Sequence, residues 1–158
     1  MARLYYVKRS NLRPLDQLER EALRESLKYL LETNLPHSYH KGLSGIKYYE
    51  DKGMDLENGV MGAHDYLHPN EIYLSPYLVK DLNYRSKSGI LNNETIMNTI
   101  VHELTHAEQR RWLFGFAWLI LNIPIVCEFT LEKWAKENGS YAEKWLCEKY
   151  SALRQDIS

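Results

Sequence analysis

Cysteine is scarce: Cys127 and Cys147 are the only two in 158 residues, too few for a disulfide framework. We read them as reduced, mostly buried thiols of a cytoplasmic protein. Charge of one sign is missing too. Twenty basic residues face 21 acidic ones, the net charge is −1, and no long run of either sign occurs. That excludes a dominant nucleic-acid footprint and leaves Arg110 with Arg111 as a local patch at most. The opening "MARLYYVKRSN" has basic residues but no apolar stretch long enough for a signal peptide. The most apolar run, Trp112–Phe129, is broken by Asn122 and Pro124. It falls short of the roughly 20 consecutive apolar residues a spanning helix needs. No transmembrane segment is therefore expected. The run suits a buried core helix, and weak membrane association is the most it would otherwise suggest. Repeats, low-complexity tracts and linkers are also lacking, so residues 1–158 are expected to form a single domain.

What is present is an ordinary globular balance, 44% hydrophobic and 26% charged, enriched in tyrosine (12) and tryptophan (4). In "PLDQLEREALRESLKYLLETN", Leu15, Leu18, Ala22, Leu30 and Leu31 fall near one helical face. Pro14 suits a first helical turn and Pro36 follows the end. "GIKYYED", "GVMGAHDY" and "NEIYLSP" are short, rich in β-branched or aromatic residues and bounded by turn residues. They predict a small, mostly antiparallel sheet of about three strands, the last two forming a hairpin around "HPN". A second helix is expected from Asn92 or Asn93 to about Arg111. Two more should follow, from about Pro124 to Asn138, stopped by Gly139, and from Ser140 or Tyr141 to near Gln155. Helix, small sheet and then helices make an α+β domain.

The second helix carries "HELTH", His102 to His106. Positions i and i+4 share a helical face, with Cβ atoms about 5–6 Å apart. Imidazole nitrogens sit about 2.0–2.1 Å from zinc, so His102 and His106 can reach one ion without bending the helix. Glu103 lies about 100° round from His102, poorly placed as a ligand but next to any water bound there. The spacing divides labour between two ligands and one base. Chance yields an HExxH in roughly 2% of chains of this length and histidine content, so the match carries weight. Context adds to it: Leu104 and Thr105 are uncharged, and Ile96, Ile100, Val101 and Leu104 give the helix apolar surface to bury.

A catalytic zinc usually has three protein ligands and an open position. Position 109 is Gln and position 112 is Trp, so the HExxHxxGxxH pattern of the metzincins is absent. The third ligand is then sought among acidic residues further on, chiefly Glu128, Glu132, Glu143 and Glu148. Of the other histidines, His37 and His40 read as surface residues and His68 as a turn residue. His64 is a candidate for facing the cleft and binding substrate.

On His102-Glu103-Leu104-Thr105-His106 and "EFTLEKWA", Glu128 to Ala135, the chain resembles the gluzincin metallopeptidases. It looks most like their small single-domain members, the minigluzincins, over about residues 59–138. The resemblance implies a zincin-like fold, a zinc cofactor, a peptide or protein substrate, and a third ligand that is a glutamate on a later helix. Two placements compete. An ExxxD-like pair makes Glu128 the ligand and Glu132 its supporter, with Glu standing where Asp is usual. An apolar-Glu-x-x-Ala pattern, Leu131 to Ala135, makes Glu132 the ligand. Glu132 is preferred, ahead of Glu128 and Glu148. Gluzincins often add a Tyr or His for the oxyanion, for which Tyr141 and Tyr150 are candidates. The expected activity is zinc-dependent peptide hydrolysis with Glu103 as general base. The alternative is a non-catalytic or latent zinc-binding module acting through protein interaction, latency arising from the Met1–Ser10 arm or the tail after Arg154.

Overall fold

The computed structural model describes residues 7–28, 32–35, 39, 44–54, 61–65, 67–88, 94–121 and 132–157. Four strands, β1 (Leu12–Pro14), β2 (Lys47–Asp51), β3 (Gly62–His64) and β4 (Glu71–Leu74), form one sheet in the order β1-β2-β4-β3. Among the described residues four α-helices accompany it: α1 (Gln17–Leu27), α2 (Pro76–Ser88), α3 (Glu94–Leu121) and α4 (Lys133–Ile157). The protein is α+β. Among the described residues, no helix is long and apolar enough to cross a membrane.

The hairpin forms as expected, β3 running antiparallel to β4 with Gly62 opposite Leu74 and His64 opposite Ile72. β1 is likewise antiparallel to β2. The expectation of three strands falls short, because β1 adds a fourth and β4 pairs with β2 in parallel, from Lys47–Glu71 to Glu50–Leu74. Ile72, Tyr73 and Leu74 are completely buried, and a strand covered on both faces belongs inside a sheet. β4 therefore sits between β2 and β3, which leaves the glycine-bearing β3 at the edge. Tyr48, Ile72 and Leu74 face the main core with Leu23, Leu27, Leu78, Leu82, Met97 and Ile100 from the helices. Tyr49, Ala63 and Tyr73 point the other way, onto Val7, Leu12 and Met54.

α1 starts at Asp16, not Pro14, which lies in β1. Asp16 accepts from the Glu19 amide at 2.8 Å, and Glu19 accepts from the Asp16 amide at 2.8 Å, a reciprocal capping box. The buried face holds Glu19, Leu23, Ser26 and Leu27, while Leu18, expected inside, is 57% exposed. A polar residue displaces it because Glu19 has partners there: Arg13 donates to both its carboxylate oxygens at 2.8 and 2.9 Å, and Asn83 of α2 donates at 2.8 Å. Leu30 and Leu31 lie outside the described residues. α2 itself was not expected, although its start is marked. Ser75 caps it, Oγ accepting from the Leu78 amide at 3.2 Å, and Pro76 takes the first turn.

α3 passes Arg111 and continues to Leu121, since nothing from Trp112 to Leu121 breaks a helix as Pro124 would. The stop expected at Gly139 is absent: α4 runs through it, joining the described end of the first expected helix to the second, while residues 124–131 lie outside the described residues. Gly139 is there for packing. α3 and α4 have the most extensive interface of any pair of elements, and a Cβ on Gly139 would stand 2.8 Å from the Asn98 carbonyl oxygen of α3. Gly139→Ala should accordingly lose roughly 1–3 kcal/mol through overpacking, more than the ~1 kcal/mol that alanine gains as a helix former. Urea unfolding measures the sign; a stabilised variant would mean that the helices can part without cost.

Candidate metal site

α3 supplies His102 and His106, and Glu132 stands at the residue before α4. The buried face of α3, with Ile96, Met97, Ile100, Val101 and Leu104, holds the helix against the core. The two imidazoles thereby face the start of α4. His106 Nε2 lies 3.2 Å from His102 Nε2 and 3.0 Å from Glu132 Oε1. His102 Nε2 lies 3.4 Å from Glu132 Oε2. Four-coordinate ligand atoms held about 2.0–2.1 Å from a centre stand about 3.3 Å apart. The contacts observed, to one Glu132 oxygen from His106 and to the other from His102, are close to that value, and one ligand atom from each residue lies within 4.8 Å of the others. His102, His106 and Glu132 could therefore hold a metal. Two imidazoles and a carboxylate suit zinc and also other first-row divalent ions.

Glu132 is held far below the usual carboxylate range by hydrogen bonds from His102 and His106. Burial depresses His106, but the hydrogen bond to Glu132 and the charges of Glu103 and Glu132 outweigh it and raise the imidazole. Glu103 is 6% exposed, and burial lifts its carboxyl above the usual range, partly offset by His106 and His102. The three side chains are partly exposed, 20% for His102, 11% for His106 and 23% for Glu132.

Edge strand β3 runs beside this helix. A Cβ on Gly62 would meet Thr99 Cγ2 at 2.7 Å and Glu103 Cγ at 3.4 Å, so the missing side chain lets the strand approach the buried glutamate. His64 shares that face by alternation. It is 6% exposed, with Nε2 3.2 Å from the Pro69 carbonyl oxygen. His68 sits in the turn, its Nδ1 2.8 Å from Asp65 Oδ2.

The remaining candidates lie elsewhere. Glu143 accepts from Asn98 Nδ2, and exposed Glu148 pairs with Lys144 at 4.0 Å; neither joins the cluster. Tyr141 accepts from the Asn34 amide at 3.2 Å, and nine helical residues put it roughly 13 Å along α4 from Glu132. Glu128, His37 and His40 and the Tyr150 side chain lie outside the described residues.

Two features of the site were not anticipated. Gln109, 2% exposed, has its Oε1 2.9 Å from His106 Nδ1; its i+3 spacing from His106 was the signal. The other is a polar knot tying the two helices. Thr105 Oγ1 donates to the Val101 carbonyl oxygen at 2.8 Å and accepts from Tyr39 at 2.9 Å. Asn138 of α4 donates to Tyr39 Oη at 2.9 Å and to Thr105 Oγ1 at 3.3 Å. Asn138 lies on α4, which begins directly after Glu132, so the knot fixes that helix against the imidazoles' helix.

No protein-family model, curated protein or solved structure matches the chain.

Proposed function

We propose that this protein is a zinc-dependent peptidase of the gluzincin kind, with His102, His106 and Glu132 as ligands and Glu103 as general base. The observation that carries the reading is the convergence of those three side chains at ligand–ligand spacing, beside a buried glutamate one residue after the first histidine. When bound, zinc would supply an acidified water and a Lewis acid for the scissile carbonyl. The chain's own residues do the rest. Glu103 takes the proton of the attacking water and returns it to the leaving amine. Among the described strands β3 has a neighbour on one side only, so its other edge can pair with an extended peptide. Gly62 allows that backbone to lie close to Glu103.

The test combines metal analysis with hydrolysis. Purified protein should contain about one zinc per chain and cleave unstructured peptides from a mixed-sequence library. Chelation should abolish cleavage and added Zn²⁺ restore it, and His106→Ala should lose both metal and cleavage. Protein without stoichiometric zinc would overturn the reading. Zinc without turnover would favour the binding module, and turnover gained on trimming either terminus would show latency.

A further inference from the structure

The hydrogen bond behind His106 bears on how the site is prepared for its ion. Gln109 stands one turn after His106 on α3, on the same face, and it is buried between charged sequence neighbours, Glu108 and Arg110. A buried carboxamide needs a partner, and its Oε1 lies 2.9 Å from His106 Nδ1. A neutral imidazole carries one N–H. An acceptor at Nδ1 draws the proton to that nitrogen and leaves a lone pair on Nε2. Nε2 is the atom that faces Glu132 Oε1 at 3.0 Å and His102 Nε2 at 3.2 Å. The opposite tautomer would turn an N–H toward the same point and could not ligate a cation.

Building on the metallopeptidase reading, we propose that Gln109 is a positioning residue that sets the tautomer and the ring orientation of His106 for metal binding. A neutral amide suits the place. Glu103 and Glu132 already bring two carboxylates to the site, enough to balance one divalent ion. A third carboxylate at position 109 would leave an unbalanced charge in a buried setting. The amide supplies the acceptor without that cost.

Zn²⁺ titration against a competing chelator and NMR of the zinc-loaded protein test this. In the wild type, His106 should show a slowly exchanging Nδ1–H. Gln109→Met, close in shape but without the amide acceptor, should lose the protection of that proton and bind Zn²⁺ about 10–100-fold more weakly. Gln109→Glu, which keeps an acceptor, should recover most of the affinity despite its charge. A purely structural role would lower thermal stability in both variants and leave affinity and the protected N–H unchanged, which overturns the proposal. So does an unprotected His106 Nδ1–H in the wild type, an observation that needs no variant to fold. Absence of His106-dependent zinc binding in the wild type would overturn the metallopeptidase reading and the proposal together. Equal affinities in wild type and Gln109→Met would overturn the proposal alone.

Discussion

Glu103→Gln is expected to keep its zinc and lose peptide hydrolysis by between about 10²- and 10⁴-fold, the usual contribution of a positioned general base. A thousandfold loss corresponds to about 4 kcal/mol of transition-state stabilisation. The substitution is nearly isosteric in a residue 6% exposed. It leaves His102, His106 and Glu132 intact, so metal content and fold should not change. What it removes is the ability to accept a proton. Burial raises the Glu103 carboxyl, with His106 and His102 opposing, and a base set above the ordinary carboxylate range takes the proton of the attacking water more readily. Steady-state kinetics with metal analysis on the same preparation would check this. Undiminished turnover in a zinc-loaded Glu103→Gln protein would sink the mechanism. A loss of zinc in parallel with activity would instead move Glu103 into the ligand set.

How far the sequence anticipated this arrangement depends on the range of the interactions involved. His102, Glu103 and His106 were legible because one helix determines their relation, and helical spacing is local. Glu132 was harder. Its choice over Glu128 rested on a motif likeness, and nothing in the local sequence says which turn of a later helix meets α3. The α3–α4 crossing, where Gly139 packs on Asn98 and Thr105 meets Asn138, is what brings Glu132 beside the histidines, while Glu128 lies outside the described residues. The hairpin of β3 and β4 could be read from its turn, whereas the parallel pairing of β4 with β2 could not. Complete burial of Ile72, Tyr73 and Leu74 imposes it, and burial on both faces is a tertiary fact. Gly139 was misread as a helix stop for the same reason. Glycine is equally at home at a C-terminus and at a close helix contact, and only the neighbour distinguishes them. Gln109 entered first as the reason to set metzincins aside. Its position one turn beyond His106 held more information than that exclusion used.

The second large effect is expected away from the candidate metal site, at the carboxylate that took the place meant for Leu18. Glu19 is fully buried and receives Arg13, Asn83 and the Asp16 amide. It thus ties β1, the start of α1 and α2 together. Arg13 is one-third exposed and also donates to Glu50, with its closer contact at 3.3 Å. Removing Glu19 therefore strands less charge than the breaking of a fully buried pair, which costs about 3–5 kcal/mol. Glu19→Ala should lose roughly 2–4 kcal/mol, part of it from the broken capping box and the lost Asn83 hydrogen bond. The loss should depend on pH. Burial pushes the Glu19 carboxyl up, but the hydrogen bonds from Arg13, Asp16 and Asn83 more than offset it and hold the group below its ordinary value. A carboxyl depressed in the folded state stabilises the fold above its unfolded pKa of about 4.3, and that contribution disappears as pH falls through the folded value. Urea unfolding at neutral pH should then separate wild type from Glu19→Ala by the full amount. The gap should narrow as pH falls from about 4.3 toward 2, because the wild type alone gives up the Glu19 contribution. A gap that stayed constant over that range would show that Glu19 acts through its packing and not through its charge.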